Sequence, residues 1–552
     1  MVARFNQDKM LAMQGDTSTG RVQWVEAPSL ALLQARGAIA SKLGGRQVAL
    51  FVHQGDVLAC NNRCPHQGYP LCEGALDATG ILTCHWHNWK FELRSGANLY
   101  GGDTLRVYPV RVDAGRVWVD VSDPPPAQLV AQALAQLAES MQEDDYERVA
   151  RELARLEQAG GSVDAAMLQV LEQTHTLLPD GMTHAYAAID AWLRLRDQLT
   201  DRTQRLACAS EAVAHVSFDT LREAPCPYAA GRRPWVPREF LAAVQAQDEA
   251  TATEHLNDAL AQGLAFSALE PTLAQAALAH YNAFGHSLIY LTHVRSLIER
   301  LGSAAAAPLL RAWTRAIVLA TREDLLPDFK TYAGALHKWP DAPAAAPSPA
   351  LSASQFEGLT IRDSLAATRS AAALHAPLAV WQALMQASAH HLLRFDERVA
   401  LRTDNAVTDD VNWLDLSHAL TFGHAVRLTC TRFPQLWPQG LLQMALFVGR
   451  NTPYLAQGVD AASAQAAWQT GCGEDFDTWG QVRILDHGIG LPIFPVHWLK
   501  TWLAVRDTIA LGVPRTCADA LRAALRRFLS VQFKQRHALR AAHQALHFIE
   551  RE

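Results

Sequence analysis

The sequence predicts a multidomain α+β protein in which a small all-β domain precedes a large all-α domain. Three observations predict this fold class. Between residues 21 and 121, short β-branched and aromatic runs alternate with Gly, Asp and Asn turn signals. Three consecutive prolines, Pro124 to Pro126, then end the strand pattern. From about residue 127 onward, apolar residues recur at the i, i+3, i+4 and i+7 positions typical of helices.

Each predicted region has its own sequence signal. We expect an N-terminal extension at 1–20, a β domain at 21–123 and a domain of about 15 helices at 124–552. The strand runs include QVALFVHQGDVLAC, GILTCHWHNWKFEL and RVWVDV, whereas AQLVAQALAQLAESM and DDYERVARELARLEQ have helical spacing. The segment DAPAAAPSPALSAS, at 341–354, has the composition of an exposed linker.

Bulk composition excludes several functional classes. The chain has 552 residues, a net charge of −6 and a pI near 6.4, so nucleic acid is not an expected partner. No apolar run approaches the ~18 residues of a membrane span, and the start MVARFNQDKM lacks the apolar core of a signal peptide. We therefore expect a soluble cytoplasmic protein, whose oligomeric state the sequence leaves open.

Two pairs of cysteine and histidine lie twenty residues apart in the β domain. They are Cys64-x-His66 and Cys84-x-x-His87. Two thiolates on one iron and two imidazoles on the other hold one kind of [2Fe–2S] cluster. Zinc would accept the same four ligands, but the strand context favours the cluster. Three aromatic side chains are expected to shield it: Trp86, Trp89 and Phe91.

The ligand loops CPHQGYPL and CHWHNWKF, with the flanking strands up to YPVRVDAGRVWVDV, resemble the Rieske [2Fe–2S] family. The resemblance covers about residues 21–122. It implies that Cys64 and Cys84 bind one iron, and that His66 and His87 bind the other. The remaining cysteines of the region are expected to be buried thiols.

The second ligand loop distinguishes between the types of Rieske protein that the chain could resemble. With His85 and Trp86 between its two ligands, the loop cannot form the disulfide of the high-potential Rieske proteins in the same way. The resemblance is therefore to the ferredoxin-type and oxygenase-type domains. No GxGxxG motif or P-loop occurs in the chain, so we expect electrons to come from an external NAD(P)H reductase or ferredoxin.

A third motif matches a known iron site in its residue types and spacing, but not in its position along the chain. Asp415, His418 and His424, in NWLDLSHALTFGHAV, fit the Asp-x-x-His-x₄₋₅-His pattern of Rieske oxygenases. In those enzymes the motif follows the Rieske region more closely, inside an α/β catalytic domain. Here it lies far downstream in a helical pattern, so we discount that fold of oxygenase.

Several histidines of the helical region lie on apolar stretches. A buried imidazole needs a hydrogen-bond partner or a metal for its nitrogens, and as a set these residues predict a metal centre. His286 and His293, seven residues apart, share a helix face with ~10 Å of rise between them. They could line one pocket at two levels, or each could contribute to a different metal ion. The full set is His184, His286, His293, His418, His424 and His487.

HSLIYLTHVRSL and, far downstream, SHALTFGHAVRL resemble the questin oxidase-like family over most of residues 165–500. Its members are all-helical oxidases linked to Baeyer–Villiger-type cleavage of aromatic polyketides. The chain departs from the family pattern around His487, where DHGIGLP replaces helical context. The matching positions are His286, Leu288, Ile289, His293, His418, Ala419, Thr421, Ala425, Val426 and Arg427, with His184 and His487 as further counterparts.

Together these features predict an O₂-dependent oxidoreductase, a monooxygenase or oxidase. The [2Fe–2S] cluster would pass electrons to a non-haem iron centre that oxidises an organic substrate such as an aromatic compound. Two alternatives stay open: an electron-transfer protein whose helical domain is a metal-free docking scaffold, and an enzyme whose helical domain needs no cofactor. The predicted ligands of the second iron are His184, His286, His293, His418 and His487, with His424 as a further catalytic candidate.

Overall fold

The computed structural model describes residues 22–340, 350–407, 410–469, 473 and 475–550. The predicted N-terminal extension and residues 341–349 of the predicted linker lie outside these described residues. Of the rest of that linker, Ala353–Gln355 forms a short 3-10 helix. The chain divides into two compact units, Met1–Ser162 and Val163–Glu552. A β region followed by a large helical region confirms the predicted fold class.

The first unit contains the β structure. Its described residues form three antiparallel sheets, with strand orders β1-β10-β9, β2-β3-β4-β8 and β5-β6-β7. One short helix, α1 (Leu30–Arg36), follows the first strand. The strands are β1 (Trp24–Ala27), β2 (Ala38–Leu43), β3 (Arg46–His53), β4 (Asp56–Asn61), β5 (Ala75–Leu76), β6 (Ile81–Thr83), β7 (Lys90–Glu92), β8 (Val107–Tyr108), β9 (Val110–Asp113) and β10 (Arg116–Asp120).

Strand β3 separates two apolar cores. Because side chains alternate across a strand, Val48 and Leu50 enter a core with residues of β1, β2 and β10. Ala49 and Phe51 point the other way, into a second core that includes Cys64 and both strand-borne and loop-borne apolar residues. All four of these β3 side chains are buried. The second core is the base on which the predicted cluster loops rest.

Two helices complete the first unit. Helix α2 (Pro126–Gln142) starts with proline at its first position, where the missing N–H costs nothing. Helix α3 (Tyr146–Gln158) is capped by Asp145, whose carboxylate accepts from the backbone N–H of Arg148. The hairpin that they form packs within the same compact unit as the sheets.

The second unit is helical. Its described residues hold α4 to α22, so with α2 and α3 the helices after the prolines exceed the predicted number of about 15. Among the described helices, none has the length and apolar character needed to cross a membrane. The helices are α4 (Val163–Thr174), α5 (His184–Gln198), α6 (Arg202–Thr220), α7 (Pro237–Gln245), α8 (Glu249–Ala261), α9 (Phe266–Ala279), α10 (His286–Leu301), α11 (Ala306–Val318), α12 (Thr331–His337), α13 (Ile361–Ala372), α14 (Pro377–Arg394), α15 (Glu397–Leu401), α16 (Trp413–Arg432), α17 (Trp437–Asn451), α18 (Ala461–Gln469), α19 (Phe476–Leu485), α20 (Ile493–Ala510), α21 (Arg515–Leu529) and α22 (Ala538–Ile549).

Four helices of this unit form a closed ring. Helix α5 packs against α10, α10 against α16, α16 against α20, and α20 against α5. Helix α10 is entered through a turn in which three successive residues, Ala283, Phe284 and Gly285, have positive φ angles. Helix α16 begins with a reciprocal capping box between Asn412 and Asp415. Side chains that point into this ring from different helices therefore come close to one another.

Candidate functional site

The two predicted cluster loops have the same backbone geometry. In the first, the N–H of Gly68 donates to the Cys64 carbonyl, and the N–H of Cys64 donates to the Tyr69 carbonyl. In the second, Asn88 donates to Cys84, and Cys84 donates to Trp89, with all four distances between 2.8 and 2.9 Å. Gly68 and Asn88 both have positive φ. Each loop thus presents one cysteine and one histidine in a matching tight turn.

The four side chains fit a binuclear cluster. Cys64 and Cys84 are buried, and the rings of His66 and His87 lie 4.7 Å apart. The buried Nδ1 atom of His66 has no hydrogen-bond partner within the protein, as expected of a ligand atom. All four residues are described, and no three of them bring ligand atoms within 4.8 Å of one another. A single tetrahedral zinc would hold its ligand atoms about 3.5 Å apart, so the geometry disfavours zinc.

Local electrostatics indicate that the thiolates need a bound cation. Burial and the neighbouring Cys84 raise the pKa of Cys64 to about 11, so at neutral pH the free side chain is a thiol. Burial, then His87 and Arg151, lower the pKa of His66, which keeps that imidazole neutral and able to ligate. A metal that displaces the thiol protons would convert this site into its ligating form.

The aromatic residues around the loops divide into covered and open sides. Trp89 stacks on His66, with ring centres 4.5 Å apart and planes 11° apart, and Phe91 is fully buried. Trp86 stacks on His87 at 5.0 Å, but 55% of Trp86 is exposed. The expected shielding therefore covers the His66 side, whereas the His87 side faces outward.

In the second unit, three of the predicted histidines converge inside the helix ring together with a fourth. They come from four helices: His184 from α5, His286 from α10, His418 from α16 and His497 from α20. The Nε2 atoms of His286 and His418 are 2.8 Å apart, and those of His418 and His497 are 3.4 Å apart. Ligand atoms of His184, His418 and His497 all lie within 4.8 Å of one another.

Backbone carbonyls fix the orientation of three of these rings. The Nδ1 atoms of His286, His418 and His497 donate to carbonyls at 2.5–2.6 Å, each on the residue three or four positions earlier in its own chain segment. Since a carbonyl only accepts, each Nδ1 carries its proton and each neutral ring keeps a lone pair on Nε2. The Nε2 atom of His418 lies between the other two, 2.8 Å from that of His286 and 3.4 Å from that of His497.

The fourth ring has a different partner. The Nδ1 atom of His184 lies 2.6 Å from the side-chain nitrogen of Lys500, one turn after His497 on α20. Lys500 is buried, and burial lowers its pKa to about 7. His418 and His497 are also buried, whereas His184 and His286 are only half-buried. The His184–His286 side is thus the accessible side of the group.

The other three predicted histidines lie elsewhere in the unit. The Nδ1 atom of His293 is 2.7 Å from an Asp190 carboxylate oxygen. The Nδ1 atom of His424 pairs with the Thr508 hydroxyl at 3.0 Å, and the Nε2 atom of His487 is 3.3 Å from Glu211. These rings already have polar partners, and the structure does not bring them into the four-histidine group.

The discounted motif also has a structural explanation. Asp415 accepts from the Asn412 backbone N–H at 2.9 Å and from Arg450 at 2.9 Å. Its carboxylate therefore caps α16 and anchors a neighbouring helix, and the motif does not form an iron site together with His418 and His424.

Two residues of the group, His497 and Lys500, were not predicted from the sequence. Both lie in IFPVHWLKTWLAV, where nearly every side chain is apolar and no amphipathic face distinguishes inward positions. The signal that could have identified them is their apolar context, because two ionisable residues three positions apart on an apolar helix need polar partners.

Comparison with known proteins agrees with the geometry of the first unit. Residues 23–106 match the Rieske [2Fe-2S] domain family. The chain is 35% identical to the ferredoxin component of the alkene monooxygenase system of Xanthobacter autotrophicus, over 14% of this chain and 64% of that protein. It is 34% identical to the 4beta-methylsterol monooxygenase of Methylococcus capsulatus, over 14% of this chain and 25% of the relative.

A third relative is covered more fully. The ferredoxin subunit of 3-phenylpropionate/cinnamic acid dioxygenase from Photorhabdus laumondii is 35% identical over 14% of this chain and 74% of its own length. The first two relatives are thus spanned over less than two thirds of their length, and all three matches cover only a small part of this chain. The Rieske domain is homologous to oxygenase ferredoxin components and to a monooxygenase that contains such a domain. Through the domain at residues 23–106, which carries both ligand loops, this chain belongs to the Rieske [2Fe-2S] family.

Proposed function

We propose that the protein is an O₂-dependent oxygenase or oxidase in which the Rieske cluster supplies electrons to an iron held by His184, His286, His418 and His497. One observation carries the proposal: the Nε2 atoms of His286 and His418 lie 2.8 Å apart while both Nδ1 protons are committed to carbonyls. Two lone pairs at this distance repel each other unless a cation lies between or beside them.

A proton is a poor candidate for that cation. It would turn one ring into a buried imidazolium, and burial lowers the pKa of His286 to about 3 and that of His418 well below its usual value. At neutral pH both rings are therefore neutral. Nitrogen ligands about 3.0–3.4 Å apart are typical around one first-row metal with bonds near 2.1 Å.

The Rieske unit favours a redox-active metal over zinc. Imidazole suits zinc, copper, iron and nickel alike, but zinc has no redox chemistry and could not accept electrons from the cluster. Iron bound there would supply one-electron chemistry and O₂ activation. The chain itself would fix the four rings through their Nδ1 partners and exclude water through the surrounding apolar helices.

The aromatic walls of the site support an organic substrate. Phe284 contacts His418 edge-on at 5.2 Å, and Tyr290 lies 5.1 Å from His286, both as ring-centre distances. Tyr290, which also lies 5.7 Å from His184, flanks the accessible His184–His286 side, where a substrate would approach. An aromatic substrate, as the questin oxidase-like resemblance implies, would fit between such rings, and an external reductase or ferredoxin would reduce the cluster.

Metal analysis of the full chain tests the proposal. Rieske loading alone gives two irons and two sulfides per chain, and a second centre raises iron to three or four without added sulfide. We expect the extra iron to be lost in a His418→Ala/His497→Ala double variant that keeps the Rieske EPR signal. His543→Ala, at an exposed histidine of α22, controls for surface-bound iron.

A second candidate function also has an observation in its favour. The relatives include stand-alone ferredoxin components of oxygenase systems, so the first unit alone resembles an electron carrier. If the helical unit were a metal-free scaffold, the native chain would hold two irons, and the double variant would leave its iron content unchanged. That result would replace the oxygenase proposal with the carrier.

A further inference from the structure

The α2–α3 hairpin lies outside the matched Rieske residues 23–106 but belongs to the same compact unit. It carries a group of charged side chains that ordinary surface helices lack. Arg148 is fully buried, and Glu152 is 1% exposed. Buried charges are costly unless they are paired, so a retained group of this kind calls for a role beyond stability.

The hairpin is joined to the β domain through Asp103, which is fully buried. Arg151 donates to both Asp103 oxygens, with its Nη2 2.6 Å from Oδ2 and its Nε 3.0 Å from Oδ1. Arg155 approaches the same carboxylate at 2.6 Å and also pairs with Glu152. Two arginines therefore share one buried aspartate, and the second of them is also paired with Glu152.

This charged group lies directly behind one cluster ligand. The segment before Asp103 is pressed against Trp89, because a Cβ on Gly102 would lie 3.1 Å from the Trp89 ring. Trp89 in turn stacks on His66 at 4.5 Å. The residue before Asp103 thus lies against the aromatic ring that stacks on a predicted iron ligand.

We propose that the α2–α3 hairpin sets the reduction potential of the Rieske cluster through the buried Asp103–Arg151 pair. Reduction adds one electron, and hence one negative charge, to the cluster. The Arg151 cation stabilises that added charge and raises the potential, whereas the Asp103 carboxylate opposes it and lowers the potential. In a buried site such charges are weakly screened, so their effect extends across the Trp89 ring.

Redox titration of the full-length protein, followed by the cluster's visible and EPR signals at fixed pH and salt, tests this role. Arg151→Gln is expected to lower the midpoint potential, and Asp103→Asn to raise it. We expect each shift to change the electron-exchange equilibrium constant roughly three- to tenfold, or about 30–60 mV for one electron. The double variant should shift the potential less than either single variant, because the two charges oppose each other.

A matched pair on the surface provides the control. Arg94 and Asp56 form a 2.7 Å ion pair in the same unit, but both side chains are more than half exposed. Neutralising either should leave the potential unchanged. If Arg151→Gln and Asp103→Asn shift the potential no more than this control, or both in the same direction, the proposal is overturned.

A folding defect would not obscure the result. Arg151→Lys keeps the charge but cannot donate two parallel bonds, so it should hold the native potential even if stability falls. A drop with Arg151→Lys equal to that of Arg151→Gln would contradict a charge effect. The measurement needs only the cluster, so it is independent of whether the helical unit holds iron.

Discussion

At the scale of single residues, the chemistry depends on which nitrogen of each histidine carries its proton. In three rings of the four-histidine group, a backbone carbonyl of the same helix or of its entry turn holds the proton on Nδ1. His184 depends instead on a side chain, Lys500, and is the one ring of the group whose orientation a single substitution can release. The two kinds of support predict different sensitivities to mutation.

Lys500→Met keeps the length and apolar stem of the side chain but removes the contact with His184 Nδ1. Partners that orient metal-binding histidines typically affect metal affinity by 10- to 100-fold, so we expect roughly a tenfold weaker Fe(II) affinity in the helical unit. Titration of metal-depleted protein with Fe(II) measures this. Lys338→Met, at an exposed lysine, should have no effect; equal affinities of the two variants would contradict the assigned role.

A carboxyl beside the site makes stability depend on pH. Burial raises the pKa of Glu323 from 4.5 to about 7, with Asp324 adding to the shift and Arg450 opposing it. The folded state therefore binds the Glu323 proton more tightly than the unfolded state does. The resulting contribution of Glu323 to the free energy of unfolding is lost as the pH rises from 4.5 through about 7. Urea unfolding of native protein and Glu323→Gln should show that only the native protein loses this contribution.

The native-minus-variant difference in unfolding free energy should fall with a slope approaching about 1.4 kcal/mol per pH unit inside that window. Glu223→Gln, at an exposed position, should give a difference that is flat with pH. A flat difference for Glu323→Gln would show that this carboxyl is ionised in the folded state.

At the scale of elements, the turn before α10 places His286. Positive φ angles at Ala283 and Phe284 are unfavourable for residues with a Cβ, and they aim the Ala283 carbonyl at His286 Nδ1. The Phe284 N–H donates to Glu323 at 3.1 Å, which helps to hold the turn. Strain in this turn is therefore coupled to the position of one ring of the site.

Gly285→Ala tests how tightly that turn is packed. Gly285 has φ of 77°, and an added Cβ would lie 2.6 Å from the Phe422 ring. We expect a loss of about 2–4 kcal/mol in unfolding free energy, from backbone strain and the clash together. Gly302→Ala has a similar φ of 84° but open space around its Cβ, so it should lose only about 1 kcal/mol. Equal losses would mean that Phe422 moves freely.

At the scale of the whole molecule, the sequence predicted the local features well and the long-range ones partly. The cluster loops were predictable because each pair of ligands lies within four residues of one tight turn. Apolar context selected His184, His286 and His418, which lie together in the structure, but it did not separate them from His293, which lies elsewhere. The packing angles between helices decide which turn of each helix contacts the other three, and the sequence periodicity does not encode these angles.

His497 shows the same limit from the other side. Helix α20 is apolar around most of its circumference, so its sequence does not indicate which face points into the ring. The number of helices was underestimated because many are short and joined by brief turns, which blur into one another in a pattern of period 3.6.

The division into two compact units predicts that their metals are lost separately. Cys64→Ser should abolish the Rieske EPR signal and the acid-labile sulfide, because a [2Fe–2S] cluster needs all four ligands. The iron proposed in the helical unit should remain, at one or two per chain. Iron and sulfide assays on the same sample measure both; loss of all iron together would show that the second centre depends on the first.

Strand β3 gives the first unit an asymmetric response to emptying of its ligand loops. Its Ala49 and Phe51 side lies against the thiols, whereas Val48 and Leu50 belong to a core that contains none of them. An apoprotein would therefore keep the apolar core on the Val48 and Leu50 side intact, while the core on the Ala49 and Phe51 side loosened. Amide hydrogen exchange would become faster in the two ligand loops and stay slow in the strands around the Val48 and Leu50 core. The apoprotein would therefore remain partly folded and able to take up a new cluster.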